Sequence, residues 1–257
     1  MSLPDSAGPS NPWFIRFQER PQATIRLYCL PHAGGGASTF RSWAAELPES
    51  IEVVAVQLPG RESRLRESLP GRIDELVQPL AMEIDRLSDL PFACFGHSLG
   101  AVLSFELVRH QRRHGLALPT QLIVSGRNAP QLDSSHDKTF RHEMSDAELI
   151  DELRRLQGTP EEILENREFM ATLLPVIRGD FKLVERYQYV EEPPLPVPLL
   201  AFAATEDKFT TRPGVEAWRQ QSDISFRSKF FPGDHFFFIS QPKPVWQTVG
   251  GQLLRNQ

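Results

Sequence analysis

The segment Gly96-His97-Ser98-Leu99-Gly100 holds a serine between two glycines, directly after the apolar run 91–95 (PFACF) and directly before a helical pattern over 99–114. The chemistry such a serine offers is nucleophilic attack on an acyl carbonyl. Small residues permit a sharp strand-to-helix turn that lifts the hydroxyl clear of the sheet, and the adjacent helix N-terminus favours the negative charge that develops. The pattern alone also fits an ordinary glycine-rich turn. Its place between a strand and a helix is what makes Ser98 a candidate nucleophile.

A hydroxyl attacks well only when a base accepts its proton, so a histidine must reach it. His110 and His114 lie four apart beside Arg112 and Arg113 and are expected on a solvated helix face, without the glutamate of a zinc-binding helix. His136 and His142 fall in a polar stretch, and His97 adjoins the serine too closely to serve it, so its expected role is to shape the turn. His235, in FPGDHFF, follows the last weak strand and precedes the last helix, where a loop returns a base to the sheet's carboxyl edge. The base needs an acid to fix its tautomer and stabilise the imidazolium. Asp207, after the run 199–203, gives the chain order Ser, Asp, His; Glu206, Asp234 and Asp133 are rivals. The run Leu30-Pro31-His32-Ala33-Gly34-Gly35-Gly36 lets backbone approach closely, so that an amide there and that of Leu99 supply the two donors an oxyanion needs.

These residues require strands that end at one edge. Short apolar runs at 25–30, 51–56, 91–95, 121–125 and 199–203, with a weaker one at 225–231, alternate with helical patterns at 39–47, 73–87, 99–114, 213–221 and 244–254. That alternation predicts an α/β fold with a mostly parallel central sheet flanked by helices. Between 131 and 189 the rhythm breaks. Ser145 with Glu148, and Thr159 with Pro160 and Glu162, signal helix starts, so a helical insertion is expected there within one domain spanning 1–257. Its apolar residues pack on the sheet, and the same spacing suits a lid over an apolar channel. The proline-rich 191–198 reads as an extended connector back into the sheet.

Composition narrows the class. The 257 residues are 40% apolar and 24% charged, an ordinary globular mix, and the net charge of −5 argues against a protein working by phosphate neutralisation. No stretch is apolar enough to span a bilayer, and the start (MSLPDSAGPSNPW) reads as a loose leader without a secretory signal. Cys29 and Cys94 sit in buried-looking runs and are expected as reduced thiols of a cytoplasmic protein; no metal-ligand spacing occurs.

The chain resembles the type II thioesterases that accompany non-ribosomal peptide and polyketide synthetases. The resemblance covers roughly 13–254 and rests on LPHAGG (30–35), QLPGRESR (57–64), FGHSLGA (95–101), the acid loop at Asp207 and PGDHF (232–236). It implies an α/β-hydrolase fold with a helical lid, and hydrolysis of acyl thioesters on the phosphopantetheine arm of carrier protein domains. By position it implies Ser98 as nucleophile, Asp207 as acid, His235 as base, and the amides of Ala33 and Leu99 as oxyanion hole. No metal or cofactor is implied, since the phosphopantetheine belongs to the substrate; neither nucleic acid nor membrane is a partner, and a monomer is expected. Thioesterase domains fused to synthetases commonly carry the acid after an earlier strand, where this chain reads VSGRNAP (124–130) without a carboxylate, which supports the free-standing type. Asp234 departs from the family's usual glycine, and the acid loop is less glycine-rich. Alternatives are a medium-chain fatty acyl thioesterase or a carboxylesterase with the same residues, and a non-catalytic synthetase partner. Arg61, Arg64, Arg66 and Arg72 form a local basic run, read either as a solvated loop or as a docking site for an acidic carrier.

Overall fold

The computed structural model describes residues 11–87, 89–132 and 140–255. Its seven-stranded sheet runs β1-β3-β2-β4-β5-β6-β7, parallel except at β1, which pairs antiparallel with β3. The strands are β1 (Phe14–Ile15), β2 (Ile25–Leu30), β3 (Ile51–Val56), β4 (Phe92–His97), β5 (Gln121–Ser125), β6 (Leu199–Ala204) and β7 (Phe226–Phe231). Five of the expected strands match within one or two residues and the weak sixth forms β7. Only β1 is new, and two residues carry no periodicity to read.

Continuous apolar runs form the inner strands because both faces of a parallel sheet are covered. In β4, Phe92 and Cys94 enter one core with α2 (Ile73–Asp85) and α3 (Leu99–His114), while Ala93 and Phe95 enter the other with α1 (Arg41–Glu46). Cys29 and Cys94 are buried and free, as expected. No helix among the described residues is long and apolar enough to cross a membrane.

Between β5 and β6 lie α4 (Asp146–Leu156), α5 (Glu161–Leu164) and α6 (Arg167–Glu185), with no strand among the described residues. Leu149, Leu153, Leu164, Met170, Leu174 and Ile177 give these helices an apolar cluster of their own. At α4 the expected capping box forms, Ser145 and Glu148 each accepting from the other's backbone amide. At α5 it does not. Pro160 occupies the cap itself, one place before the expected first helical position, and its side chain has no oxygen to accept a first-turn amide. An unforeseen cap starts α6, where Asn166 accepts from the Phe169 amide at 3.0 Å.

The connector enters β6 as predicted, and Glu192 on it pairs with Arg109, Arg112 and Arg113 of α3 at 2.6, 2.5 and 2.6 Å. His110 is buried and stacked on exposed His114 at 4.0 Å, so it is not solvated as its neighbours suggested. The remaining helices are α7 (Arg212–Glu216), α8 (Phe237–Ser240) and α9 (Pro242–Arg255). The start of the chain (1–10), Asp133 and His136 lie outside the described residues.

Candidate active site

Ser98 joins β4 to α3 with φ 55° and ψ −108°, a conformation rare for a residue with a Cβ. Two backbone bonds hold it there: Ser98 N–H donates to the Ser125 carbonyl at 2.8 Å, and Ala101 N–H donates to the Ser98 carbonyl at 3.1 Å. Close approach explains the flanking glycines. A Cβ at Gly96 would overlap the Gly100 carbonyl, and one at Gly100 would overlap the Leu30 carbonyl at the end of β2. Leu99 is the first residue of α3, where amides lack intrahelical partners. Neither its N–H nor that of Ala33 donates to any group among the described residues, and Ala33 lines the same cavity as Ser98.

Asp207 and His235 follow the ends of β6 and β7, and their loops are laced together. Thr205 N–H donates to the Phe231 carbonyl at 2.9 Å and Glu206 N–H to the Gly233 carbonyl at 3.0 Å. His235 Nδ1 meets Asp207 Oδ2 at 2.9 Å, while Asp207 Oδ1 accepts from the Phe209 amide at 2.8 Å. The Asp207 side chain is fully shielded from solvent and that of His235 is 10% exposed. Of the rival acids, Asp234 accepts from the Phe236 amide at 2.8 Å and leaves the imidazole alone, and Glu206 is exposed. The structure thus brings Asp207 and His235 together. It places Ser98 with His235 on one cavity, without a hydrogen bond between hydroxyl and imidazole among the described residues. Such a contact commonly tightens only around the substrate.

His97 behaves as a turn-shaping residue. It is buried, its Nδ1 meets Ser125 Oγ at 2.9 Å, and its ring stacks on Phe238 at 4.2 Å. Burial, with His235 and His32 nearby, holds it well below the usual histidine range. His32, which motif reading left without a role, is pushed down to about 3 by burial, then by His235 and Arg61. Both rings are therefore neutral near pH 7. Gly126, at φ +63°, ends β5 where a Cβ would overlap the His97 ring and crowd that of His235. His142 has a structural partner, Glu185, at 2.5 Å.

The glycine loop is braced by the 57–64 motif. Gln57 accepts from the Ala37 amide at 3.3 Å and donates to the Arg61 carbonyl at 3.1 Å, and Glu62 accepts from the Ser38 amide at 3.2 Å. Arg61 and Arg64 are buried, Arg64 donating to the Gln57 carbonyl at 2.9 Å, and exposed Arg72 is paired with Asp74 at 2.9 Å. The basic run is thus not one patch: Arg61 and Arg64 turn inward, Arg72 is paired at the surface, and Arg66 is exposed. Above the loop opens a cavity of about 1030 Å³, lined by Ser98 and His235 below and by Leu153, Leu156, Ile163, Phe169 and Leu173 of the inserted helices above.

A family model described as the thioesterase domain matches residues 25–253. The gramicidin S biosynthesis protein GrsT of Aneurinibacillus migulanus is 43% identical over 95% of this chain and 94% of its own. Thioesterase PikA5 of Streptomyces venezuelae is 35% identical over 94% of this chain and 85% of its own. Among solved structures, the type II thioesterase BorB from the borrelidin biosynthetic cluster superposes with a TM-score of 0.87 at 35% identity, over 96% of this chain and 100% of that one.

Proposed function

We infer the function of this chain from its family: it belongs to the thioesterase domain family, has the α/β-hydrolase fold, and is a hydrolase of thioesters. Within that family it is a type II thioesterase, acting on acyl groups carried on the phosphopantetheine arm of carrier protein domains in a non-ribosomal peptide or polyketide pathway. The biosynthetic names and near-complete coverage of its relatives favour this reading over a fatty acyl thioesterase. The observation that carries the mechanism is the 2.9 Å contact of His235 with shielded Asp207, on the cavity that Ser98 enters with its φ of 55°.

In the proposed reaction the imidazole of His235 takes the Ser98 proton as Oγ attacks the thioester carbonyl, and Asp207 stabilises the imidazolium. The unengaged amides of Ala33 and Leu99 receive the oxyanion. Collapse breaks the carbon–sulfur bond, His235 returns its proton to the leaving thiolate, and water, deprotonated by the same imidazole, hydrolyses acyl-Ser98. Every proton has a residue to hold it, so the steps call for no metal or redox cofactor. The inserted helices act as a lid whose apolar underside receives the acyl chain. Reduced Cys29 and Cys94 support a cytoplasmic setting, in which we place the protein as a monomer.

Hydrolysis of acetyl-, propionyl- and longer acyl-carrier proteins beside matched free thioesters tests the reading, with Ser98→Ala as control. Faster turnover of carrier substrates, abolished in the variant, is expected. Cleavage of simple esters alone would leave the serine chemistry standing and remove the carrier from it.

A further inference from the structure

One buried ion pair joins the inserted helices to the glycine loop. Arg61 and Asp180 are 5% and 1% exposed and meet face to face, Nη1 to Oδ2 at 2.6 Å and Nη2 to Oδ1 at 2.8 Å. Each partner also grips the loop. Asp180 Oδ2 accepts from the Gly34 amide at 2.8 Å, and Arg61 Nη1 donates to the Gly35 carbonyl at 3.1 Å. Between these anchors lies a tight turn closed by Gly35 N–H donating to the His32 carbonyl at 3.0 Å, with Ala33 and Gly34 at its centre and Gly34 at φ +77°. A central peptide of this kind is free to rotate between turn types unless something holds its N–H. Here the holder is a carboxylate on α6, and α6 also packs tightly at the same point, where a Cβ on Gly34 would press into Ile177.

Nothing about the sheet requires this arrangement. A charge pair in an apolar interior gains little over well-packed hydrophobic residues, so its stabilising worth does not account for it. What the pair accomplishes geometrically is to fix both edges of the turn that presents the Ala33 amide, from a helix that is also a wall of the substrate cavity. We propose that Asp180 and Arg61 are positioning residues that hold the oxyanion loop in register with α6, so that the Ala33 amide is aimed at the substrate carbonyl only while α6 is seated. This rests on the serine mechanism proposed above. It makes the inserted helices part of the catalytic geometry as well as a cover for the acyl chain.

The test uses Asp180→Asn, which keeps an acceptor but removes the charge, and the double variant R61M/D180M, which leaves no lone buried charge. Each is assayed on a short free acyl thioester for kcat and KM, and for affinity toward an acyl trifluoromethyl ketone, whose hemiketal oxygen occupies the oxyanion position on Ser98. A displaced donor costs about tenfold to a hundredfold in rate. The expected result in both variants is a kcat lowered by at least about tenfold, KM within about twofold of wild type, and ketone affinity falling in step with kcat. Wild-type kcat in either folded variant, or a lowered kcat with unchanged ketone affinity, overturns the proposal. Ser98→Ala separates the two levels. Activity surviving in that variant overturns the serine mechanism and the brace together, whereas Ser98-dependent wild-type activity with indifferent Asp180 variants overturns the brace alone.

Discussion

Replacing Asp207 by asparagine tests the acid more sharply than deleting it, because the structure dictates how the new amide must sit. Asp207 Oδ1 accepts from the Phe209 N–H at 2.8 Å, so that corner has to remain an acceptor. The asparagine carbonyl therefore takes the Oδ1 place, and its NH2 group takes the Oδ2 place, 2.9 Å from His235 Nδ1. Two donors cannot face each other there, so Nδ1 must give up its proton and Nε2 acquires one. The ring is then a donor toward Ser98 and unable to accept the serine proton. Restoring the working tautomer leaves two shielded donors unpaired at about 1–3 kcal/mol each, and the variant also lacks the charge that stabilises the imidazolium.

The unpaired donors alone cost about 2–6 kcal/mol, and with the lost charge added the fall in kcat is expected at about 10³–10⁴, at 1.36 kcal/mol per decade. The assay is steady-state hydrolysis of a short free thioester from pH 6 to 10, beside the rate at which a fluorophosphonate labels Ser98. Both rates are expected to fall together, with KM and thermal melting nearly unchanged. A kcat within tenfold of wild type in folded D207N would refute the assignment of Asp207 as the group that orients His235.

Two further perturbations follow from the surroundings of these residues. Gly100→Ala places a methyl group against the Leu30 carbonyl, where backbone rather than a pliant side chain must give way, so unfolding in urea should show a loss of about 1–3 kcal/mol together with a slower Ser98 labelling rate; a neutral result would mean that α3 does not need its close seat on β2. Acid should destabilise the protein through His32: its folded pKa, pushed down to about 3, lies below the unfolded value of about 6.5, so the unfolded chain binds more protons between those values and stability falls as pH drops through that window. From pH 7 to pH 5 the loss through this one ring is about 2 kcal/mol, and urea midpoints of wild type and His32→Gln compared at the two pH values should show the variant losing correspondingly less.

Much of the candidate site was legible because its parts are punctuated locally. Ser98 sits where an apolar run turns into a helical pattern within one stretch of chain, and Asp207 and His235 each follow a strand that announces its own end. His110 was misread for a related reason: its neighbours in sequence are arginines, but those arginines pair with Glu192, some eighty residues on, and do not mark a freely solvated face. Arg61 was misread in the same way, as part of a basic run, although its partner Asp180 lies 119 residues further along. One signal was there to find. Asp180 falls three residues after Ile177 and beside Phe181, an acid on the stripe that buries α6, and a carboxylate on such a stripe implies a buried partner. Only the fold says which arginine that is. Local pattern thus locates the proposed nucleophile, acid and base, while the ion pair proposed to aim the glycine loop is joined across the chain. On the bracing proposed above, a positional error in the glycine loop is more readily produced by a substitution in α6 than by one beside Ser98 that preserves the turn.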